Sequence, residues 1–271
     1  MGISPFHVLE FLLMGSLVGF LGGFLGIGGG AVMIALLNYW IFPSLGVSAA
    51  VMMHLSLGTS LAIIIPASIA GSWAQTRIGN VGWRMVCLMA IPGIVGSFLG
   101  STIAAYLPSQ VLRPLFGILL ILISAQMLLQ KKTAGEAGES LPPRVSAVLM
   151  VGAAVGLFSG LFGLGGGVIG IPLMIRFLRL PIHRAVGNSI AFVMFTSLVG
   201  AAGYVLHGWK DPNLPPLSLG YVHIPAWILA GIPSILLSGL GVKAAGKARP
   251  IGLRRIFALI LGAVGVRMML S

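Results

Sequence analysis

Acidic residues are almost absent from this chain. Of its 271 residues only 4 are Asp or Glu and 16 are Lys or Arg, so 7% of the chain is charged, whereas a soluble globular chain carries roughly 25%. A water-facing surface cannot be built from so few charges, which excludes an ordinary soluble enzyme and a disordered chain. The net charge of +12 arises from missing acids and not from a Lys/Arg-rich block, so a nucleic-acid partner is not expected.

Cysteine and clustered carboxylates are also lacking. Cys87 is the one cysteine, which excludes a disulfide framework and a cysteine-based metal site. Glu10 is the one carboxylate inside an apolar stretch, so the carboxylate clusters that usually coordinate Na⁺ or relay protons in membrane pumps are missing. The run 26–31 formally fits a dinucleotide fingerprint, but both of its flanks are apolar helix and not a strand. We therefore expect no metal, no cofactor and no enzymatic activity.

Apolar residues dominate what remains. They make up 58% of the chain, and the mean hydropathy is +1.08. A helix needs about 20 apolar residues to cross roughly 30 Å of hydrocarbon. The sequence therefore predicts an all-α polytopic membrane protein in contact with the lipid bilayer. The predicted segments are 6–42 and 144–180, both overlong, together with 46–74, 84–106, 111–129, 183–206, 223–245 and 252–270.

The two halves of the chain resemble each other. The glycine-rich run 19–30 aligns with 156–167 at an offset of 137, and six glycines coincide. Residues 58–62 match 187–191 at an offset of 129, and Ile91-Pro92 matches Ile232-Pro233 at an offset of 141. This order of blocks predicts a duplication, with an N-terminal repeat at 1–130, a cytoplasmic linker at 131–143 and a C-terminal repeat at 144–271. Duplication around glycine-broken segments is typical of secondary transporters.

The distribution of basic residues favours one topology. If each overlong segment crosses the membrane once, the repeats are parallel and the Lys and Arg residues divide seven against nine. If each segment turns at its glycine run and returns to the same face, the repeats are inverted and the division is thirteen against three. Cytoplasmic loops carry the Lys/Arg excess. We therefore prefer the inverted arrangement, with both termini external.

The glycine triplets are candidates for a binding site. Gly19, Gly23, Gly156 and Gly160 have the spacing that lets membrane helices approach closely, and we assign them to packing. Three consecutive glycines destabilise a helix interior by about 1 kcal/mol each relative to alanine, so packing explains them poorly. A helix that restarts after such a break presents free N–H groups and a positive dipole end, which together form an anion site. The candidate residues are Gly28, Gly29, Gly30, Gly165, Gly166 and Gly167.

A few polar side chains lie in the helices that follow the breaks. Thr59, Ser60, Asn188 and Ser189 occupy equivalent positions in the two repeats, and we expect them to complete the site as hydrogen-bond donors. The alternative is that their side chains bond to backbone carbonyls of their own helices. His54 and Glu10 are the candidates for a proton-linked role, although a buried histidine is more often structural.

The motifs carry a family resemblance. The paired glycine runs, Gly58-Thr59-Ser60-Leu61 and the stretch Arg77–Trp83 together resemble the sulfite exporter TauE/SafE family over nearly the whole chain. The family pattern usually has an acidic or amide residue where this chain has Gly82, and Asn188 replaces the commoner threonine of the second repeat.

The resemblance implies an inner-membrane permease of bacterial type that exports small sulfur-containing anions of the sulfite or organosulfonate class. Two alternatives stay open. One is an importer or proton-coupled symporter of a related anion with the same architecture. The other is a membrane scaffold or enzyme subunit without transport. The sequence leaves homo-oligomer formation open.

Overall fold

A bundle of apolar helices forms the described part of the chain. The structure, a computed structural model, describes residues 4–25, 29–129, 143–245 and 251–270. Seven of the described helices are long and apolar enough to cross a membrane, which confirms the all-α polytopic fold. The elements are α1 (Pro5–Leu25), α2 (Gly30–Leu36), a π-helical turn (Leu37–Ile41), α3 (Phe42–Ser44), α4 (Ala49–Arg77), α5 (Trp83–Tyr106), α6 (Ser109–Leu129), α7 (Val145–Phe162), α8 (Gly167–Phe177), α9 (Ile182–Gly208), β1 (Ser218–Leu219), β2 (Val222–His223), α10 (Ile224–Ala245) and α11 (Ile251–Leu270).

The first overlong segment is a helical hairpin. Near its open end, the Trp40 indole Nε1 donates to Glu10 Oε1 at 2.6 Å, and His7 Nε2 lies 3.2 Å from Ser44 Oγ. Near its closed end, a methyl group added to Gly29 would lie 2.6 Å from Val18. The chain therefore turns at its glycine run and returns alongside α1. The second overlong segment folds in the same way, because a methyl group added to Gly166 would lie 2.8 Å from the Val155 side chain.

Glycines let the first helix of each half pack directly on a helix of the other half. Methyl groups added at Gly15, Gly19 and Gly23 of α1 would collide with α10 backbone. Methyl groups added at the equivalent glycines of α7, which are Gly152, Gly156 and Gly160, would collide with α5 backbone. The assignment of Gly19, Gly23, Gly156 and Gly160 to helix packing is thus confirmed.

Equivalent residues of the two halves make equivalent contacts elsewhere too. The Ser97 hydroxyl donates to the Thr196 carbonyl at 2.6 Å, and the Ser238 hydroxyl donates to the Ala67 carbonyl at 3.0 Å. In the central pair of helices, Gly71 of α4 faces Ile190 of α9, and Gly200 faces Leu61. The later part of each helix meets the earlier part of the other, so α4 and α9 run antiparallel.

The bundle has two chemically different ends. One, which we call the basic end, contains the turn between α4 and α5 and the starts of α7 and α9, which line one cavity. The cations there, within the ranges 29–129 and 143–245, are Arg77, Arg84, Arg144, Arg176, Arg179, Arg184 and Lys243. The other, the opposite end, carries Arg113, Lys210 and Arg267. Of the predicted linker only Pro143 belongs to the described residues.

A small β-hairpin covers the opposite end and was not predicted. Its strands pair antiparallel, with Ser218 opposite His223. Between them Tyr221 donates its hydroxyl to Asp211 Oδ2 at 2.8 Å, and its ring stacks on the ring of His54. Burial and the hydrogen bond to Asp211 raise the pKa of Tyr221 to about 12. The tyrosine is therefore a neutral donor at every physiological pH, and it ties the hairpin to α4.

Candidate functional site

Left-handed glycines shape both helix breaks. Gly29 precedes α2 with φ of 64° and Gly166 precedes α8 with φ of 83°, a region of backbone conformation that other residues enter at a cost of roughly 1–2 kcal/mol. Gly165 has φ of 69°. Gly30 and Gly167 are the first residues of the helices that follow, so each helix begins one residue earlier than the predicted starts at Ala31 and Val168. Gly28 lies outside the described residues.

The two breaks meet inside the bundle. A methyl group added to Gly30 would lie 3.1 Å from the Leu164 Cα and 3.2 Å from the Gly163 carbonyl oxygen. The Ile64 side chain contacts both breaks. Its nearest atoms lie 2.8 Å from the methyl position of Gly30 and 3.2 Å from that of Gly165. Helix breaks from two different segments thus lie next to each other, and many secondary transporters bind their substrate at such breaks.

Side-chain hydroxyls hold the carbonyls of the second break. Ser60 donates to the Gly163 carbonyl at 3.0 Å, and the Thr196 hydroxyl lies 3.2 Å from both the Gly165 carbonyl and the Val193 carbonyl of its own helix. The proton of Ser60, which we expected to face a ligand, is used for the backbone in this conformation. The first N–H groups of α8 have no intrahelical acceptor. The break therefore presents donors and a positive helix end, which suits an anion.

Three buried hydroxyls surround this second break without a partner. The Oγ atoms of Ser159, Ser189 and Ser197 are fully buried and make no hydrogen bond with the described residues. The Ser197 Oγ lies 3.0 Å from the methyl position of Gly165. The Ser189 Oγ lies 3.2 Å from that of Gly170, in the first turn of α8. An unsatisfied buried polar group destabilises a fold by about 1–3 kcal/mol, so these hydroxyls are candidates for hydrogen bonds to a ligand or to water.

The first break lacks this feature. At the positions equivalent to Ser159 and Ser197 the first half has Gly22 and Ser68, and the Ser68 hydroxyl donates to the Ile65 carbonyl of its own helix. The equivalent of Ser189 is Ser60, whose proton is also donated. The unpartnered hydroxyls therefore belong to the second half alone.

Thr59 and Asn188 occupy equivalent structural positions. The Thr59 Oγ1 accepts from the His223 N–H at 2.9 Å, and the Asn188 Oδ1 accepts from the Gly82 N–H at 2.7 Å. Each of these oxygens thus accepts a hydrogen bond from the backbone N–H of the residue that precedes a helix of the other half. Thr59 lies under the β-hairpin, away from the glycine breaks, whereas Asn188 lines the cavity at the basic end.

Comparison with known proteins gives a consistent result. Residues 11–268 match the family model described as "Sulfite exporter TauE/SafE". The chain belongs to this family. It is 31% identical to a "Probable membrane transporter protein" of Haemophilus influenzae over 97% of this chain and 98% of the relative. A protein of the same description from Methanocaldococcus jannaschii is 32% identical over 96% of this chain and 94% of the relative. No solved structure matches.

Membership of the TauE/SafE family and the seven apolar helices make this chain a multi-pass membrane protein of a transporter family. The names of the relatives support a role other than catalysis. The described residues contain no group of three or more His, Cys, Asp or Glu side chains that could hold a metal ion.

The two residues with a predicted proton-linked role have structural partners in this TauE/SafE-family chain. His54 Nε2 lies 3.1 Å and 2.9 Å from the carbonyl oxygens of Ala104 and Leu107, and its Nδ1 lies 3.1 Å from Ser109 Oγ. The ring thus joins α4 to the end of α5 and the start of α6. Glu10 bonds to Trp40 within the first helical hairpin.

Sequence reasoning did not assign Ser159, Thr196 and Ser197 to the site. Ser197 carried a signal, since it matches Ser68 at the same repeat offset of 129. Which of two matched serines keeps a free proton depends on the neighbouring backbone, and that is visible only in the fold. The arginines and Gly82 that line the basic cavity were also not assigned to a site.

Proposed function

We propose that this protein is a permease that exports small sulfur-containing anions, of the sulfite or organosulfonate class, across the inner membrane of a bacterial-type cell. The family membership supports a transporter. The observation that carries the anion preference is the group of three buried, unpartnered hydroxyls at the second glycine break, Ser159, Ser189 and Ser197. Each hydroxyl can donate its proton to a ligand whose negative charge also suits the positive end of α8.

We also propose that the two halves are inverted repeats and that the basic end faces the cytoplasm. The antiparallel course of α4 and α9 and the equivalent glycine contacts support the inversion. Seven of the ten Lys and Arg residues in the ranges 4–25, 29–129, 143–245 and 258–270 lie at the basic end, which supports a cytoplasmic location by the positive-inside rule. An anion that leaves a cell with a negative interior gains roughly 2.3 kcal/mol per charge per 100 mV. Export therefore needs no coupling ion.

In this mechanism the second break forms the central anion site. Ser197 faces Gly165, and Ser159 lies beside Gly166. Their hydroxyls can therefore donate hydrogen bonds to the oxygens of an anion that also accepts hydrogen bonds from the first N–H groups of α8. Ser60 and Thr196 keep the carbonyls of the break turned away by hydrogen bonding to them. Hydrogen bonding of these carbonyls leaves fewer free acceptors beside the N–H donors of α8, which favours an anion.

The test is the flux of radiolabelled sulfite in proteoliposomes. Wild-type protein should carry sulfite down an imposed gradient, and an inside-negative potential should accelerate efflux. Ser197→Ala should weaken sulfite binding by about 10–100-fold, since a hydrogen bond to a charged group is worth about 1.5–3 kcal/mol. Ser68→Ala is the matched control, because its hydroxyl bonds within its own helix.

The outcomes separate the alternatives. Flux that requires a pH gradient would favour a proton-coupled symporter, and His54→Gln would then abolish the coupling. Absence of flux for sulfite and for simple organosulfonates, with folded protein in the vesicles, would contradict the proposal and leave a non-transporting membrane subunit as the better hypothesis.

A further inference from the structure

A cavity of about 750 Å³ opens at the basic end, outside the glycine breaks. Its walls come from the turn between α4 and α5, from the first turns of α5 and α7 and from the start of α9. The residues that matter for its chemistry are Gly82, Arg84, Arg184 and Asn188. The lining contains no carboxylate. The two acidic residues that the structure describes, Glu10 and Asp211, belong to elements of the opposite end.

Helix ends and arginines give this cavity a positive potential. Helices α5, α7 and α9 all begin at its wall, and they are 24, 18 and 27 residues long. A helix N-terminus carries roughly half a positive charge. The arginines Arg84 and Arg184 add two full charges from two different helices. A concave surface of one sign of charge raises the local concentration of counter-ions.

Asn188 supplies a donor in the cavity wall. The Gly82 N–H can only donate, so the atom that it contacts at 2.7 Å must be the amide oxygen of Asn188. The amide NH₂ group is therefore the part left for a ligand, and the side chain is only 1% exposed. Ser189, the next residue of α9, has one of the unpartnered hydroxyls at the second break. A residue of the cavity wall and a residue beside the second break are thus consecutive in α9.

The corresponding place at the opposite end is filled. His223 is the repeat equivalent of Gly82 at the offset of 141, and its ring lies 6.1 Å from that of Phe11 and 5.7 Å from that of Phe42. At Gly82 there is no side chain, and an added methyl group would make only an ordinary contact with Asn188, at 3.6 Å. One end is therefore sealed by an imidazole and the other is open because a glycine stands in its place.

We propose that this cavity is a second anion site, which receives a small oxyanion from the cytoplasm and passes it along α9 to the glycine break. Arg84 and Arg184 bind the oxyanion from two sides, and the Asn188 amide donates to it as it moves toward Ser189. This assignment rests on the proposed function. The same chemistry would suit the phosphate of an anionic lipid headgroup, and the experiment has an arm for each source.

The test measures sulfite binding calorimetrically in nanodiscs of phosphatidylcholine alone. Arg84→Gln and Arg184→Gln should each raise the Kd by about tenfold, which corresponds to about 1.4 kcal/mol. Arg176→Gln is the matched control, since this exposed arginine lies at the same end but outside the cavity lining and should change the Kd less than twofold. Gly82→His, which places the sealing side chain of the other half in the cavity, should lower flux while the protein remains folded.

Each result has a distinct meaning. If wild-type protein does not transport sulfite or an organosulfonate, the proposed function fails. If it transports normally and the two cavity variants bind sulfite like the Arg176→Gln control, only the second site is wrong. If the cavity variants keep their sulfite affinity but lose phosphatidylglycerol that copurifies with wild type, the cavity holds a lipid headgroup and this proposal is overturned.

Discussion

Replacement of the left-handed glycine before α8 should weaken anion binding at the second break at least tenfold in a protein that still folds. In Gly166→Ala the methyl group would lie 2.8 Å from the Val155 Cγ1 and 3.3 Å from the Ser159 Cβ. A left-handed alanine costs roughly 1–2 kcal/mol, and overpacking typically adds about 1–3 kcal/mol. The total destabilisation is about 2–5 kcal/mol, and the new contact lies against one of the three unpartnered serines.

Gly46→Ala is the matched control for this prediction. Gly46 has φ of 71° and no atom within 4 Å of the added methyl position, so this variant has the same backbone cost without the collision and far from the break. Both variants should lower the apparent melting temperature in detergent, Gly166→Ala more than Gly46→Ala. Below both melting temperatures, sulfite affinity should fall at least tenfold for Gly166→Ala and stay unchanged for Gly46→Ala. Normal sulfite affinity of folded Gly166→Ala would refute the assignment of the second break as the site.

Three further predictions concern topology, pH and symmetry. In a cysteine-free background, Gly79→Cys and Asn213→Cys should be labelled from opposite sides of the membrane, and same-side labelling would restore parallel repeats. Burial lowers the pKa of His223 to about 4, so the unfolded chain binds the proton at a higher pH than the folded chain does. The free energy of unfolding should therefore fall by about 2 kcal/mol between pH 7 and pH 5. The loss should vanish in His223→Gln, and an equal loss in that variant would show that another group is responsible. A Ser68→Ala/Ser197→Ala double variant should lose no more sulfite affinity than Ser197→Ala alone, because the breaks form one anion site and not two symmetric ones. Isothermal titration calorimetry should accordingly find one site at the breaks.

The helices were predictable because hydrophobic length and glycine spacing act locally. The predicted segment 84–106 and the observed α5, Trp83–Tyr106, differ by one residue, since the glycine and proline signals that bound a helix lie in the sequence itself. The helix-packing role of Gly156 was predictable for the same reason, because its spacing from Gly160 is that of a close helix contact. The β-hairpin was not, because strands of two residues have no periodicity to detect.

The site was predictable only to the level of the glycine breaks. A triplet of glycines signals unwound backbone wherever it occurs in an apolar helix. Whether a nearby hydroxyl is free depends on which carbonyl comes within reach after folding. Ser60 and Ser189 are equivalent in sequence, yet Ser60 donates to the Gly163 carbonyl and Ser189 has no partner among the described residues. Tertiary contacts with the other half decide this difference, and no local pattern encodes it.

The two halves match in their helix packing and differ in the partners of the hydroxyls at their glycine breaks. Close helix contacts tolerate little change, because a methyl group at Gly23 or Gly160 would collide with backbone of the other half. Both halves therefore have glycine at these packing positions. A binding site has no such requirement, and donors in one half suffice for a single small anion. The same holds for the two ends, where His223 closes one and Gly82 leaves the other open. The two described halves therefore share their helix packing and differ in the hydroxyls at the breaks and in the two ends of the bundle.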